Sequence, residues 1–92
     1  MKERRRRADR AAQYESKAYS SITKRVAMNV RRLRTLADAT QEEQAHRCEM
    51  STRQYLHVEN GTANLTFTTL ARLVEGFGVD VEKLFARTPK GK

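Results

Sequence analysis

The stretch of sequence that decides the fold is residues 40–61, TQEEQAHRCEMSTRQYLHVENG. Thr40 followed by Glu43 is the pattern of a capping box, in which a threonine oxygen and a glutamate carboxylate accept hydrogen bonds from unpaired amide groups at a helix start. Ser51 and Gln54 repeat this pattern eleven residues later, so the first helix must end just before the second begins. The stretch therefore predicts two short helices joined by a tight turn.

The flanking sequence predicts three further helices. Upstream, apolar residues recur at three- and four-residue steps, which places them on one face of a core helix. They are Ile22, Val26, Val30, Leu33 and Leu36, with Ala37. Downstream, Gly61 opens a loop, and an amphipathic helix starts at Thr66 and ends at Gly78. Asp80 is then placed to cap a last helical turn.

The composition is typical of one small all-α domain. The chain has 92 residues, of which 38% are hydrophobic and 33% are charged, so its core must be small and built from short amphipathic elements. We expect a five-helix domain at residues 21–87 and a tail at residues 88–92. Residues 1–20 are expected to form a basic arm that is flexible or partly helical.

The charge favours a polyanionic partner. The formal net charge is +8, and residues 1–20 hold seven basic and three acidic side chains. Such an excess neutralises phosphates and releases counterions, although solubility alone also explains a basic surface. Cys48 is the single cysteine, which excludes an intrachain disulfide and indicates a reducing, cytoplasmic compartment. No apolar stretch has the length of a signal peptide or a membrane span, so neither secretion nor membrane insertion is expected.

The order and spacing of these elements resemble a known family. The segments that carry the likeness are VRRLRTLADATQEEQA at 30–45, MSTRQYLHVENG at 50–61, TLARLVEGFGV at 69–79 and VEKLF at 81–85. Together they resemble the phage-repressor (Cro-like, or Xre-type) helix-turn-helix family, which includes controller-like proteins of restriction-modification systems. The resemblance implies a five-helix, lambda-repressor-like DNA-binding domain whose third helix enters the major groove.

The resemblance also implies which side chains read the bases. Its base-reading positions fall at the start of the third helix and one turn along, on Thr52, Arg53, Gln54 and His57. Arg53 is suited to guanine O6 and N7, Gln54 to adenine or a phosphate, and His57 to donating to a base oxygen or guanine N7. The alternative is an ordinary solvated helix face.

Other positions of the family contact the DNA backbone. They correspond here to Gln41, Arg34, Asn60, Thr62 and Asn64, which would position the domain without reading sequence. Arg34 also matches a family arginine that pairs with the glutamate at Glu59, and the alternative is an ordinary surface ion pair. Arg4, Arg5, Arg6 and Arg7 form a basic run. This run is consistent with a DNA-binding arm, a solubilising tail or a helical dimerisation extension.

Three positions depart from the family pattern. The family usually has leucine at Gln44, a leucine or isoleucine at Ala39, and glycine at Glu49, so we expect a loosely packed second helix. Glu49 in a left-handed conformation costs about 1 kcal/mol relative to glycine. Gly76 inside the fourth helix costs a similar amount relative to alanine.

The sequence gives no support for catalysis or for a cofactor. Cys48, His46 and His57 lack the paired spacing of a structural zinc site, and no phosphate-binding glycine loop or nucleophile motif occurs. A buried, unreactive role is expected for Cys48.

The function predicted from these patterns is that of a transcriptional regulator, repressor-like, that binds a palindromic double-stranded DNA operator as a homodimer. Val79, Val81 and Phe85 are the candidate dimer contacts. The alternative is a protein-interaction module, such as an antitoxin or a polymerase-binding adaptor, whose protein partner the sequence does not name. The unusual residues at Gln44 and Glu49 motivate that alternative.

Overall fold

The computed structural model describes residues 16–87. Within this range the chain forms five α-helices and no β-strand, which confirms the predicted all-α, five-helix fold. The helices are α1 (Lys17–Leu36), α2 (Gln41–Arg47), α3 (Thr52–Asn60), α4 (Phe67–Phe77) and α5 (Glu82–Phe85). The arginine run Arg4–Arg7 and the tail 88–92 lie outside the described residues.

The first helix begins earlier than the apolar pattern indicated. That pattern has its first residue at Ile22, but α1 starts at Lys17, where the Ser16 hydroxyl oxygen accepts a hydrogen bond from Tyr19 N at 3.1 Å. A serine cap can start a helix without an apolar stripe. Residues 17–20, which the sequence assigned to the arm, therefore belong to the first helix.

The ends of α1 lie beyond the core. Val26 and Val30 are fully buried, but Ile22 and Leu36 expose 49% and 74% of their surface, so their predicted place on the core face is wrong. α1 has twenty residues, whereas α3 and α5, which pack against it, have nine and four. Because length scales with residue number, a helix this long extends past both neighbours.

The hydrophobic core lies where the five helices meet. Its buried residues are Val26, Val30, Ala45, Cys48, Met50, Tyr55, Val58, Leu73 and Leu84. α1 packs on α3 and α5, while α2 packs on α3 and α4. α3 is therefore held by both α1 and α2, which fixes one of its faces inward.

α5 is held at its end instead of being capped at its start. Within the described chain no side chain caps the first turn of α5, and Asp80 contributes its backbone carbonyl, so the predicted side-chain cap is wrong. Asn29, only 2% exposed, donates from Nδ2 to the carbonyls of Leu84 at 2.9 Å and Ala86 at 2.7 Å. Because the last carbonyls of a helix lack intrahelical partners, Asn29 satisfies them from α1 and fixes α5 in place.

Candidate nucleic-acid interface

The capping box at the start of α2 is present as the sequence predicts, and a tight turn follows the helix. Thr40 Oγ1 accepts a hydrogen bond from Glu43 N at 3.0 Å, and Glu43 Oε1 accepts one from Thr40 N at 2.9 Å. After α2 ends, Glu49 adopts a left-handed φ of 57°. Met50 N then donates to Ala45 O at 2.9 Å, which closes the turn.

An arginine of α4 supports this turn from outside the helix-turn-helix. Arg72 donates from Nη1 to the Glu49 carbonyl at 3.0 Å. The sequence analysis missed this contact, because nothing in a helical pattern shows that a half-exposed arginine faces a turn twenty-three residues earlier. The left-handed residue is thus held by a bond from the neighbouring helix.

α3 begins and ends where the sequence predicts, and of the capping pattern predicted at its start the structure gives the bond to Ser51. Ser51 Oγ accepts a hydrogen bond from Gln54 N at 3.0 Å and starts the helix. Gly61, with φ of 76°, ends it, and Thr62 N donates back to His57 O at 2.9 Å. The left-handed glycine therefore turns the chain back along the last turn of α3.

The structure places three of the four predicted base-reading residues on the exposed side of α3. Arg53, Gln54 and His57 are exposed, and Thr52 is half-buried. At 100° per residue, the three exposed side chains span an arc of about 100°. The opposite side of α3 is buried in the core.

A buried carboxylate ties α3 to α1 and α2. Glu59 is 1% exposed, and Arg34 of α1 donates to it from Nε to Oε2 at 2.6 Å and from Nη2 to Oε1 at 3.2 Å. Gln41 of α2 donates from Nε2 to Oε1 at 2.9 Å. Arg31 donates from Nη1 to the Glu59 backbone carbonyl. Three helices are therefore oriented by hydrogen bonds to one residue.

The charges of this network follow from its geometry. Burial alone would raise the pKa of Glu59, but hydrogen bonds, led by the one from Arg34, outweigh it and hold the pKa below its ordinary value. The same hydrogen bond raises the pKa of Arg34. Burial, together with the Glu59 carboxylate, raises the pKa of the Tyr55 phenol. The network therefore holds an ionised pair beside a neutral phenol.

The pair between Arg34 and Glu59 is present as the resemblance implied, and it differs from a surface ion pair because its carboxylate is buried. Arg34 also donates from Nη1 to the Ala39 carbonyl at 3.1 Å. These contacts use three of its five N–H groups. The predicted backbone-contacting residues Arg34 and Gln41 thus both bind Glu59 and orient the helices.

The loop after α3 lies next to the exposed side of that helix. Asn60, Thr62 and Asn64 are exposed. His57 Nδ1 lies 2.9 Å from Thr62 Oγ1. A shallow hollow of about 270 Å³ is lined by Gln54, His57, Thr62, Ala63, Asn64 and Thr69. The structure therefore brings two predicted base-reading residues together with two predicted backbone-contacting residues.

The expectation of a loosely packed second helix is wrong. Gln44 is 1% exposed, and its Nε2 donates to the Gly76 carbonyl at 3.2 Å and to Cys48 Sγ at 3.5 Å. A Cβ atom added at Gly76 would lie 2.8 Å from Cys48 Cα and closer still to its sulfur. Gly76 therefore allows α4 to approach α2, and the glutamine amide bonds the α4 backbone at that crossing.

Cys48 has the predicted buried environment. It is 1% exposed, and burial raises the pKa of its thiol, which disfavours the reactive thiolate. Across residues 16–87, no three histidine, cysteine or acidic side chains are grouped so that they could hold a metal ion. None of the helices in that range has both the length and the apolar character needed to cross a bilayer.

The candidate dimer contacts lie around α5. Val79 is half-buried, and Val81 and Phe85 expose 41% and 36% of their surface. The basic run Arg4–Arg7 lies outside the described residues, so its contacts are not defined.

Comparison with known proteins agrees with this architecture. A family model described as a helix-turn-helix domain matches residues 25–85, which include the whole of α2, the turn and α3. Searches among curated proteins and among solved structures give no match. Because this family model covers more than half of the chain, the chain belongs to the helix-turn-helix family of DNA-binding domains.

Proposed function

We propose that the protein is a sequence-specific transcriptional regulator, repressor-like, that reads double-stranded DNA with α3. The observation that carries the proposal is the two-sided character of this helix. Arg53, Gln54 and His57 are exposed on one side. On the other side Glu59 is locked to α1 and α2. A rigid helix with a polar exposed side is what major-groove recognition requires.

In this mechanism the exposed side chains have separate tasks. Arg53 donates two hydrogen bonds to guanine O6 and N7, and Gln54 bonds an adenine or a phosphate. Thr52, at the first position of α3, approaches the same groove. Asn60, at the end of α3, and Asn64, in the loop that follows, contact phosphates and orient the domain on the duplex.

The second half of the proposal is a homodimer on a palindromic operator. Val81, just before α5, and Phe85, at its end, expose apolar surface next to the half-buried Val79. Two copies joined there would present two α3 helices to half-sites about one helical turn apart. Substitution V81E should convert the dimer to a monomer in sedimentation equilibrium, and the matched exposed change E82Q should not.

Selection of bound sequences from a random duplex pool is the experiment that tests the DNA-binding proposal. With the selected site, Arg53→Ala should lose about 1–3 kcal/mol of binding free energy and relax preference at one base position. Asn60→Ala should weaken binding to all sequences alike. Arg32→Ala removes the same charge from an exposed site on α1 and serves as the matched control, which should retain base preference.

Two results would contradict the proposal. One is a pool that stays random after selection while binding remains salt-sensitive, since that is the behaviour of a non-specific binder. The other is an equal loss on all sequences for Arg53→Ala, because a base-reading contact must act on one position.

The two residues that suggested the alternative of a protein-interaction module do not favour it in the described structure. Its motivation was the unusual residues Gln44 and Glu49. Gln44 is a buried, hydrogen-bonded core residue, and the carbonyl of Glu49 accepts a bond from Arg72. Both residues therefore support the helix-turn-helix. Helix-turn-helix DNA-binding families are typically not enzymes.

A further inference from the structure

The loop that follows α3 folds back onto the side chain of His57. Gly61 is left-handed, and Thr62 N donates to the His57 carbonyl at 2.9 Å. This return places Thr62 Oγ1 2.9 Å from His57 Nδ1 and 3.3 Å from His57 O. The hydroxyl of Thr62 therefore touches both the ring and the backbone of the same histidine.

The number of protons decides how these two contacts are made. The hydroxyl has one proton and two lone pairs, and the His57 carbonyl can only accept. If the hydroxyl donates to the carbonyl, a lone pair faces Nδ1, and the second bond forms only when Nδ1 carries the ring proton. If the hydroxyl donates to Nδ1 instead, its oxygen and the His57 carbonyl oxygen face each other as two acceptors, and the bond to the carbonyl is lost. Both contacts are satisfied only when the proton is on Nδ1.

We propose that Thr62 is a positioning residue that holds neutral His57 as the Nδ1–H tautomer, so that Nε2 accepts a hydrogen bond from a DNA base. The donors in the major groove are the amino groups N6 of adenine and N4 of cytosine, whereas guanine offers acceptors at N7 and O6. His57 therefore selects an amino group. This inference rests on the proposed function and deepens it.

The proposal replaces two roles that the family resemblance implied. His57 was expected to donate to a base oxygen or to guanine N7, and Thr62 was expected to contact a phosphate. With Nδ1–H directed at Thr62, neutral His57 has no proton left for guanine. The Thr62 hydroxyl in turn donates its hydrogen bond to the His57 carbonyl and has no second proton to donate to a phosphate oxygen.

The tautomer is measured first, on the full chain without DNA. The ¹⁵N shifts of the imidazole nitrogens at pH 8 should show the proton of His57 on Nδ1. The chain has two histidines, and His46 serves as the internal reference. Thr62→Val should move the His57 proton toward Nε2, and Thr62→Ser should restore it. A wild-type His57 with its proton on Nε2, or a tautomer that does not respond to Thr62→Val, overturns the inference.

The base contact is measured next, on the selected operator. The position that loses its preference in His57→Ala identifies the base that His57 reads. Replacing adenine there by purine, or cytosine by pyrimidin-2-one, removes the amino group and should weaken wild-type binding about fivefold to tenfold. The same replacement should not weaken His57→Ala further.

The outcomes separate the two proposals. If the position read by His57 is a guanine, and 7-deazaguanine weakens wild-type binding there, the inference is overturned while the regulatory function stands. If no specific site emerges, the regulatory function fails and the base contact fails with it. The tautomer measured in the free protein still tests the positioning role of Thr62 in that second case, because it does not depend on DNA.

Discussion

Substitution of alanine for Gly76 sets two physical effects against each other. Gly76 lies inside α4, and alanine is favoured over glycine in a helix interior by about 1 kcal/mol. Local propensity alone therefore predicts that Gly76→Ala stabilises the protein. The tertiary structure predicts the opposite sign.

The opposite sign comes from the crossing of α4 over α2. The added Cβ would lie 2.8 Å from Cys48 Cα, which is a backbone atom, and within contact distance of its Cβ and sulfur. Overpacking of a core typically costs about 1–3 kcal/mol. After the propensity gain is subtracted, we expect Gly76→Ala to lower the free energy of unfolding by about 1 kcal/mol. A loss of this size corresponds to a fall in Tm of about 4–8 °C.

Urea and thermal denaturation measure this change directly. Glu75→Ala, at an exposed position of the same helix, is the matched control and should alter the free energy of unfolding by less than about 0.5 kcal/mol. Cys48→Ala in the Gly76→Ala background removes the sulfur and should recover part of the loss. The double variant should therefore be more stable than the sum of the two single losses predicts. A Gly76→Ala protein that is more stable than wild type would refute the argument, because propensity would then outweigh the close approach.

Two further predictions concern buried polar groups. The pKa of Glu59 lies below its ordinary value in the folded protein, so the carboxylate contributes stability above its unfolded pKa of about 4.3, and this is lost as pH falls through the folded pKa. Glu59→Gln should therefore cost about 1.5–3 kcal/mol of unfolding free energy at pH 7 and flatten the decline of stability in acid. If urea denaturation shows the unfolding free energies of both proteins falling in parallel from pH 6 to pH 3, this role of Glu59 is contradicted. Asn29→Asp turns two donated bonds into a carboxylate facing two carbonyl oxygens and should cost on the order of 3 kcal/mol at pH 7. Burial against two carbonyl oxygens raises the folded pKa of the new carboxyl above the ordinary aspartate value of about 3.9, so thermal denaturation should show that loss shrinking as the pH falls from neutral toward about 4 and levelling off below it. An unchanged Tm at pH 7 would exclude the role given to Asn29.

The sequence by itself determined the helix-turn-helix. The caps at Thr40 and Ser51 and the stop at Gly61 were predicted and are present. Each of these features is made by hydrogen bonds or backbone angles within about five residues. Such interactions depend on the local order of residue types, which one sequence shows directly.

Tertiary structure decided which polar residues are inside. Gln44 at a core position indicated weak packing, yet its amide bonds the carbonyl of Gly76 thirty-two residues away. Asn29 reaches α5 across fifty-five residues. Residue type and periodicity carry no signal for such pairs, because a buried amide is stable only when a distant backbone group happens to meet it.

The candidate interface shows the same division. That Arg53, Gln54 and His57 share one side of α3 follows from helical spacing alone. That Thr62 turns back and touches the ring of His57 follows from the path of the loop, and this contact is the basis of the proposed tautomer. The sequence thus predicted which side chains are displayed. The tertiary structure brought the Thr62 hydroxyl to the ring of His57, and from that contact we infer the position of its proton, because a histidine proton is placed by its neighbours.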